Sequence, residues 1–176
     1  MKKTKRVAFM GILLAVIVIC SWISIPFTIP FTLQTFGIFL SVIVLDTWGA
    51  FLTVLGYLFL GLIGLPVFSG FKGGLGVILG PTGGYILGFL FSTLIAGKLM
   101  EIFPQRKIYR YLSMVLGLIV CYIFGTIWFI YMYTGKESIT FTNALALCVF
   151  PFVIPDLIKI VMADYLGGFL KDVYKK

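Results

Sequence analysis

The sequence predicts an all-α integral membrane protein of six transmembrane helices, on three observations. Of its 176 residues, 61% are hydrophobic and only 11% charged. Soluble domains average roughly 45–50% apolar and about 25% charged. One small core cannot hide this much apolar surface, so the main solvent must be lipid. The apolar residues also fall in runs long enough to cross a bilayer, separated by proline, glycine or charge. Finally, the cations gather at three places: four before the first apolar run, three in EIFPQRKIYR (101–110) and three in KDVYKK. Cytoplasmic loops are the ones enriched in Lys and Arg, so the N-terminus, the Glu101–Arg110 loop and the C-terminus share the cytoplasmic face. The net charge of +8 then reads as topology. A nucleic-acid patch is excluded, because the cations lie scattered between apolar spans and not on one face.

The elements follow in order, within a single domain over 1–176. A span needs about 20 apolar residues, and 7–25 supplies the first. Its charged-then-apolar start has the order of a signal peptide, but no small-x-small cleavage site follows, so the helix is retained. PFTIPFTLQ (26–34) breaks the helix with two prolines. The second helix, 35–46, is short: its apolar run Thr35–Leu45 holds eleven residues, roughly 16 Å at 1.5 Å per residue. It must start within the preceding polar stretch, tilt, or lie partly buried. Asp46-Thr47-Trp48-Gly49 reads as a turn with an interfacial tryptophan.

The third span, 50–65, is stopped by Gly64 and Pro66. GFKGGLGVILGPTGGY (70–85) is a glycine-rich loop, followed by spans 85–102 and 111–133. TGKESITFTN (134–143) is a polar connector, and the last helix, 144–172, contains Pro151 and Pro155. Alternation puts 26–34, the glycine loop and 134–143 outside. Irregular backbone near membrane depth is tolerated only where protein buries it or a cavity lies behind it. Three such loops on one face predict a covered pocket opening outward, with the glycine loop as its extracellular lid.

Few residues offer chemistry. Cys20, Cys121 and Cys148 lie in apolar runs without CxxC spacing and read as small buried hydrophobes. Histidine is absent, which removes the commonest metal ligand, and no metal site is expected. The glycine loop lacks GxxxxGK[ST], and GLGVILG has GxGxxxG spacing with no strand before it. Without histidine no Ser-His pair forms, so catalysis is not expected. Ala8, Gly11 and Ala15 share one face of the first helix, and two readings stand: packing within the chain, or a docking face for a separate membrane subunit. In IPDLIKIVMAD, Asp156 and Lys159 are three apart on one face. An ionisable residue inside a span costs about 2.5–3.5 kcal/mol, so the two form either a structural ion pair or a ligand site. In the second case Asp156 accepts from ligand N–H groups and Lys159 attracts a ligand carboxylate. Asp156 follows Pro155, which suits a first helical turn. Asp164, eight residues on, reads as packing or interfacial, and Gln34 as a cap of the second helix or a ligand contact.

Four blocks, IPFTLQTFG (29–37), GLIGLPVFSG (61–70), GGLGVILGPTGGYILGF (73–89) and IPDLIKI (154–160), together resemble the BioY family. Members are biotin-specific S components of energy-coupling factor (ECF) vitamin transporters, and the similarity runs from the first helix to the last. The resemblance implies an outward biotin pocket in a bacterial plasma-membrane protein. It also implies a partner module: a transmembrane coupling subunit and two cytosolic ATPases. The S component is then expected to topple in the membrane with its vitamin, needing no cofactor of its own. The family's docking motif is usually AxxxA; here Gly11-xxx-Ala15 is the better match. The family's biotin ligands map onto Asp156 and Lys159. A third, typically asparagine, precedes paired glycines, Gly73 and Gly74 here, and that position is Lys72. Some relatives carry a cation just after the GGY tyrosine, where this chain has Ile86; Lys72 then stands as donor to the ureido carbonyl or to the carboxylate. Gln34, Phe68, Phe71 and Tyr85 complete the mixture of apolar walls and few polar groups that such a ligand needs. A stand-alone biotin carrier is the variant reading, and a membrane enzyme acting on a lipid or vitamin precursor the rival class.

Overall fold

A computed structural model describes residues 2–103, 106–133 and 140–175. The helices are α1 (Lys2–Trp22), α2 (Gln34–Val44), α3 (Thr47–Leu62), α4 (Leu75–Ile78), α5 (Gly83–Ile102), α6 (Lys107–Met132), α7 (Phe141–Cys148) and α8 (Phe150–Lys175). Between α1 and α2, strands β1 (Ser24–Ile25) and β2 (Phe31–Thr32) pair antiparallel. Most of the expected 134–143 connector lies outside the described residues.

Several boundaries differ from expectation for physical reasons. α1 starts at Lys2 because lysine and arginine are good helix formers and need no apolar surroundings. It stops at Trp22, and the stretch expected as an open loop belongs to a small hairpin, 24–32, before α2: Leu33 N–H donates to Cys20 O at 3.1 Å, tying the hairpin's far end back to α1. The turn expected at 46–49 is instead the start of α3. Asp46 holds extended backbone, and its carboxylate meets Arg6 at 2.8 Å. The glycine loop contains a 3₁₀ turn (Ser69–Phe71) and the single turn α4. The last expected helix is two, α7 and α8, bent by 42° at Val149.

α1, α5 and α6 are long and apolar enough to cross a membrane, and α7 with α8 passes as one broken span. α2 and α3, at 11 and 16 residues, are shorter than a single crossing. α2 packs against α1, α3, α5 and α8. Nine of its eleven residues are buried, so the anomaly of length is answered by burial in protein. Outward faces are large and apolar, as at Ile119, Ile123 and Ile127 on α6 and Ile154, Ile158 and Val161 on α8. Water would not tolerate so continuous an apolar exterior.

Among the described residues, the ion pairs other than Asp156–Lys159 sit at one end. Lys5 Nζ donates to Val173 O at 3.0 Å. Lys98 pairs with Glu101 at 2.9 Å, and Arg110 with Asp164 at 2.8 Å. The N-terminal segment and the start of α6 thus both lie against α8. Asp164 is a buried member of an ion pair. The three cysteines are buried thiols.

Candidate functional site

At the other end of the bundle a cavity of about 240 Å³ opens between the hairpin, the glycine loop, α2, α5, α6 and α8. That is at or just below the small end of the roughly 300–1,000 Å³ typical of small-molecule pockets. Its apolar walls include Phe68, Ile86, Phe89, Leu118 and Phe152. Phe68 is held by an edge-on contact with Tyr57 at 5.4 Å between centroids.

The polar floor is built around α8. Asp156 and Lys159 are 3% and 4% exposed, and Lys159 Nζ lies 2.7 Å from Asp156 Oδ1. Asp156 Oδ1 also accepts from Thr35 Oγ1 at 2.9 Å, and Oδ2 from the Tyr122 hydroxyl at 2.5 Å. Lys159 Nζ donates to Thr32 O at 2.6 Å and stands 4.2 Å from the Phe31 ring centroid. The pair satisfies the rule that buried charges are paired and hydrogen-bonded. Asp156 sits seven residues into α8, one turn deeper than the first-turn position expected, because the helix already starts at Phe150.

Gln34 lines the same floor. The expected cap role is not seen: Leu33 holds the cap position, without a side-chain bond, and Gln34 lies inside α2. Its side chain instead accepts from Thr32 Oγ1 at 2.8 Å and donates to the Tyr57 hydroxyl at 2.5 Å. Tyr85 lines the wall, its hydroxyl 2.9 Å from Thr126 Oγ1. A Cβ at Gly125 would stand 2.3 Å from the Tyr85 ring, so only glycine lets the ring lie there.

The glycine loop divides. Phe68 and Lys72 line the cavity; Phe71, Gly73 and Gly74 do not. Phe71, at φ +57°, turns its ring away to stack on Trp22 at 5.0 Å. Gly73 and Gly74 shape the loop: a Cβ at Gly73 would lie 2.2 Å from Leu65 O, and Gly74 takes φ +92°. Lys72 is exposed, and among the described residues no side-chain partner holds its ammonium. Ala8, Gly11 and Ala15 are all exposed on α1, and a Cβ at Gly11 would meet nothing within 4 Å. That removes the reading of this stripe as internal packing.

Sequence reading missed Thr32, Thr35 and Tyr122 at the floor. Tyrosine and threonine are ordinary residues in apolar helices, and only the neighbouring Asp156 gives them meaning.

This architecture has known counterparts. It matches a crystal structure of the S component for biotin from an ECF-type ABC transporter with a TM-score of 0.85, at 26% identity over 99% of this chain and 93% of that one. In sequence, it is 42% identical over 163 residues to the biotin transporter BioY of Thermotoga maritima, covering 92% of each chain. It is 37% identical over 171 residues to the probable biotin transporter BioY of Pyrococcus horikoshii, covering 94% of this chain and 98% of that one. These relatives are transporters, not enzymes. The BioY family model matches residues 1–176, and the chain belongs to the BioY family.

Proposed function

We propose that this chain takes up biotin as the S component of an ECF transporter. Residues 1–176 form one domain of six crossings, α2 and α3 being short ones sheltered by their neighbours. The cationic end faces the cytoplasm of a bacterial plasma membrane, and the glycine loop lies as a lid over an outward cavity. Biotin binds there with high affinity. Asp156, Lys159 and Gln34 contact it at the floor, Phe68 and Tyr85 at the walls, and Lys72 at the lid. The paired glycines 73 and 74 and Phe71 act indirectly, by fixing the loop. The observation that carries this reading is an apolar cavity of small-molecule size ending on a buried, hydrogen-bonded Asp156–Lys159 pair. The chain has no nucleotide-binding motif, so delivery inward needs energy from elsewhere. We assign that to a coupling subunit and two ATPases, docked along the exposed Ala8–Gly11–Ala15 face.

Asp156→Asn removes a charged acceptor, worth about 1.5–3 kcal/mol, and should weaken biotin binding by roughly 10–100-fold. Calorimetry on the purified protein measures it; affinity within twofold of the parent would refute the site. Copurification with an ATPase module separates the coupled transporter from a stand-alone carrier.

A further inference from the structure

We infer that a second cavity, at the end of the bundle away from the vitamin site, binds the glycerophosphate headgroup of an anionic phospholipid. This rests on the membrane setting proposed above and not on the identity of the vitamin. The cavity, of about 250 Å³, lies where the end of α2, the start of α3, the ends of α5 and α8 and the start of α6 converge. Its polar lining is Asp46, Thr47, Glu101, Arg110, Lys171 and Tyr174. Both α5 and α6 are long enough to cross a bilayer, so a cavity between their ends stands at headgroup depth. Trp48, exposed beside the lining, and Tyr174 within it mark the same level, because such rings favour the membrane–water interface.

The acidic part of the lining is satisfied from within the chain. Asp46 meets Arg6 at 2.8 Å. Glu101 meets Lys98 at 2.9 Å and accepts from Thr47 Oγ1 at 2.5 Å. A cation entering here would find both carboxylates compensated, so the site does not suit one. Arg110 stands differently. A guanidinium carries five N–H donors, and among the described residues Arg110 makes one hydrogen bond, from Nη2 to Asp164 Oδ2 at 3.2 Å. That pair is skewed: Asp164 Oδ1 is 2.8 Å from Nη2 yet out of line to accept, and Nε is buried without an acceptor. Buried polar groups are nearly always bonded, and one left over calls for a partner from outside the chain.

A phosphodiester supplies that partner, because its oxygens accept paired N–H bonds from arginine. Lys171 adds a second cation to the lining, and α6 opens with exposed Arg106 and Lys107, no acid standing between them and Arg110. Basic pockets between helices at a membrane face are suited to anionic headgroups. The lipid's chains also have somewhere to lie. Ile102 and Val173, next in the chain to the lining residues Glu101 and Tyr174, are exposed and apolar. A soluble phosphate would gain nothing from them.

Native mass spectrometry of the detergent-solubilised protein, titrated with phosphatidylglycerol or phosphatidylcholine, tests this. Wild type should hold one phosphatidylglycerol about fivefold more tightly than phosphatidylcholine, the size of one cation's contribution at a membrane surface. Arg110→Lys keeps a charge against Asp164 but loses the fork, and Lys171→Gln loses a charge; each should cut the preference to less than about twofold. Lys107→Gln, an exposed cation outside the lining, should keep it. Biotin affinity within about twofold of wild type shows that each variant is folded; should Arg110→Lys fail that check, Lys171→Gln carries the test. Equal affinity for the two lipids in wild type, or a preference unmoved by Lys171→Gln, would overturn the site. Equal loss in Lys107→Gln would show diffuse attraction and no built site, and displacement of the lipid by millimolar glycerol phosphate would reject a lipid as the occupant. If wild type binds this lipid but no biotin, the vitamin reading falls and the lipid site stands.

Discussion

Tyr122 donates to Asp156 at 2.5 Å from the middle of α6, a contact between residues 34 positions apart. A short bond to a charged acceptor orients the carboxylate. Tyr122→Phe keeps the ring's packing and removes the bond, so biotin affinity should drop about tenfold with little change in melting temperature. Fluorescence titration and a thermal scan on the same sample check both halves. The contrast with Asp156 shows what is legible at this scale. A carboxylate and a lysine one turn apart in an apolar run announce themselves, because burying either alone is costly. Tyr122 and Thr35 carry no such signal. Phe71 failed differently: its place in the chain was read correctly, but a positive φ turned the ring outward, and side-chain direction in a loop is not encoded by neighbours.

α2 is the element whose sequence looked least plausible and whose environment explains it best. Its ends, Gln34 and Val44, nearly coincide with the apolar run. What could not be read was that four helices surround it, since that depends on pairings distant in sequence. Phe39, 1% exposed on α2, packs in the lower core with Met114 and Ile160. Phe39→Ala should therefore cost about 3 kcal/mol, seen as a lowered melting temperature in detergent. The helix ends were misjudged wherever lysine or arginine extended an apolar run, as in α1 and α6. The Val149 break was foreshadowed by Pro151 and Pro155, yet it falls before both. A proline fits the start of a helix better than its middle, so α8 begins at Phe150 instead of running through.

The whole molecule separates into an end tied by surface ion pairs and a cavity end, joined by two hydrophobic clusters. This division followed from cation positions and loop composition, which act over the full chain. The small-residue face of α1 belongs to neither end. Gly11→Leu fills open space, so biotin affinity should stay within twofold while copurification with the coupling subunit and ATPases is lost; retained copurification would reject that docking face. One further consequence concerns how the protein is made. α2 is too short to be recognised by an insertion machinery on hydropathy alone, and one of its main partners, α8, is synthesised after all the other described helices. Thr35 and Asp156, which join the two at the floor of the cavity, are separated by 121 residues. The ribosome will therefore have made α1 through α7 before the ligand site exists. Vitamin binding then reports completed assembly, and C-terminal truncations should lose it outright, not by degrees.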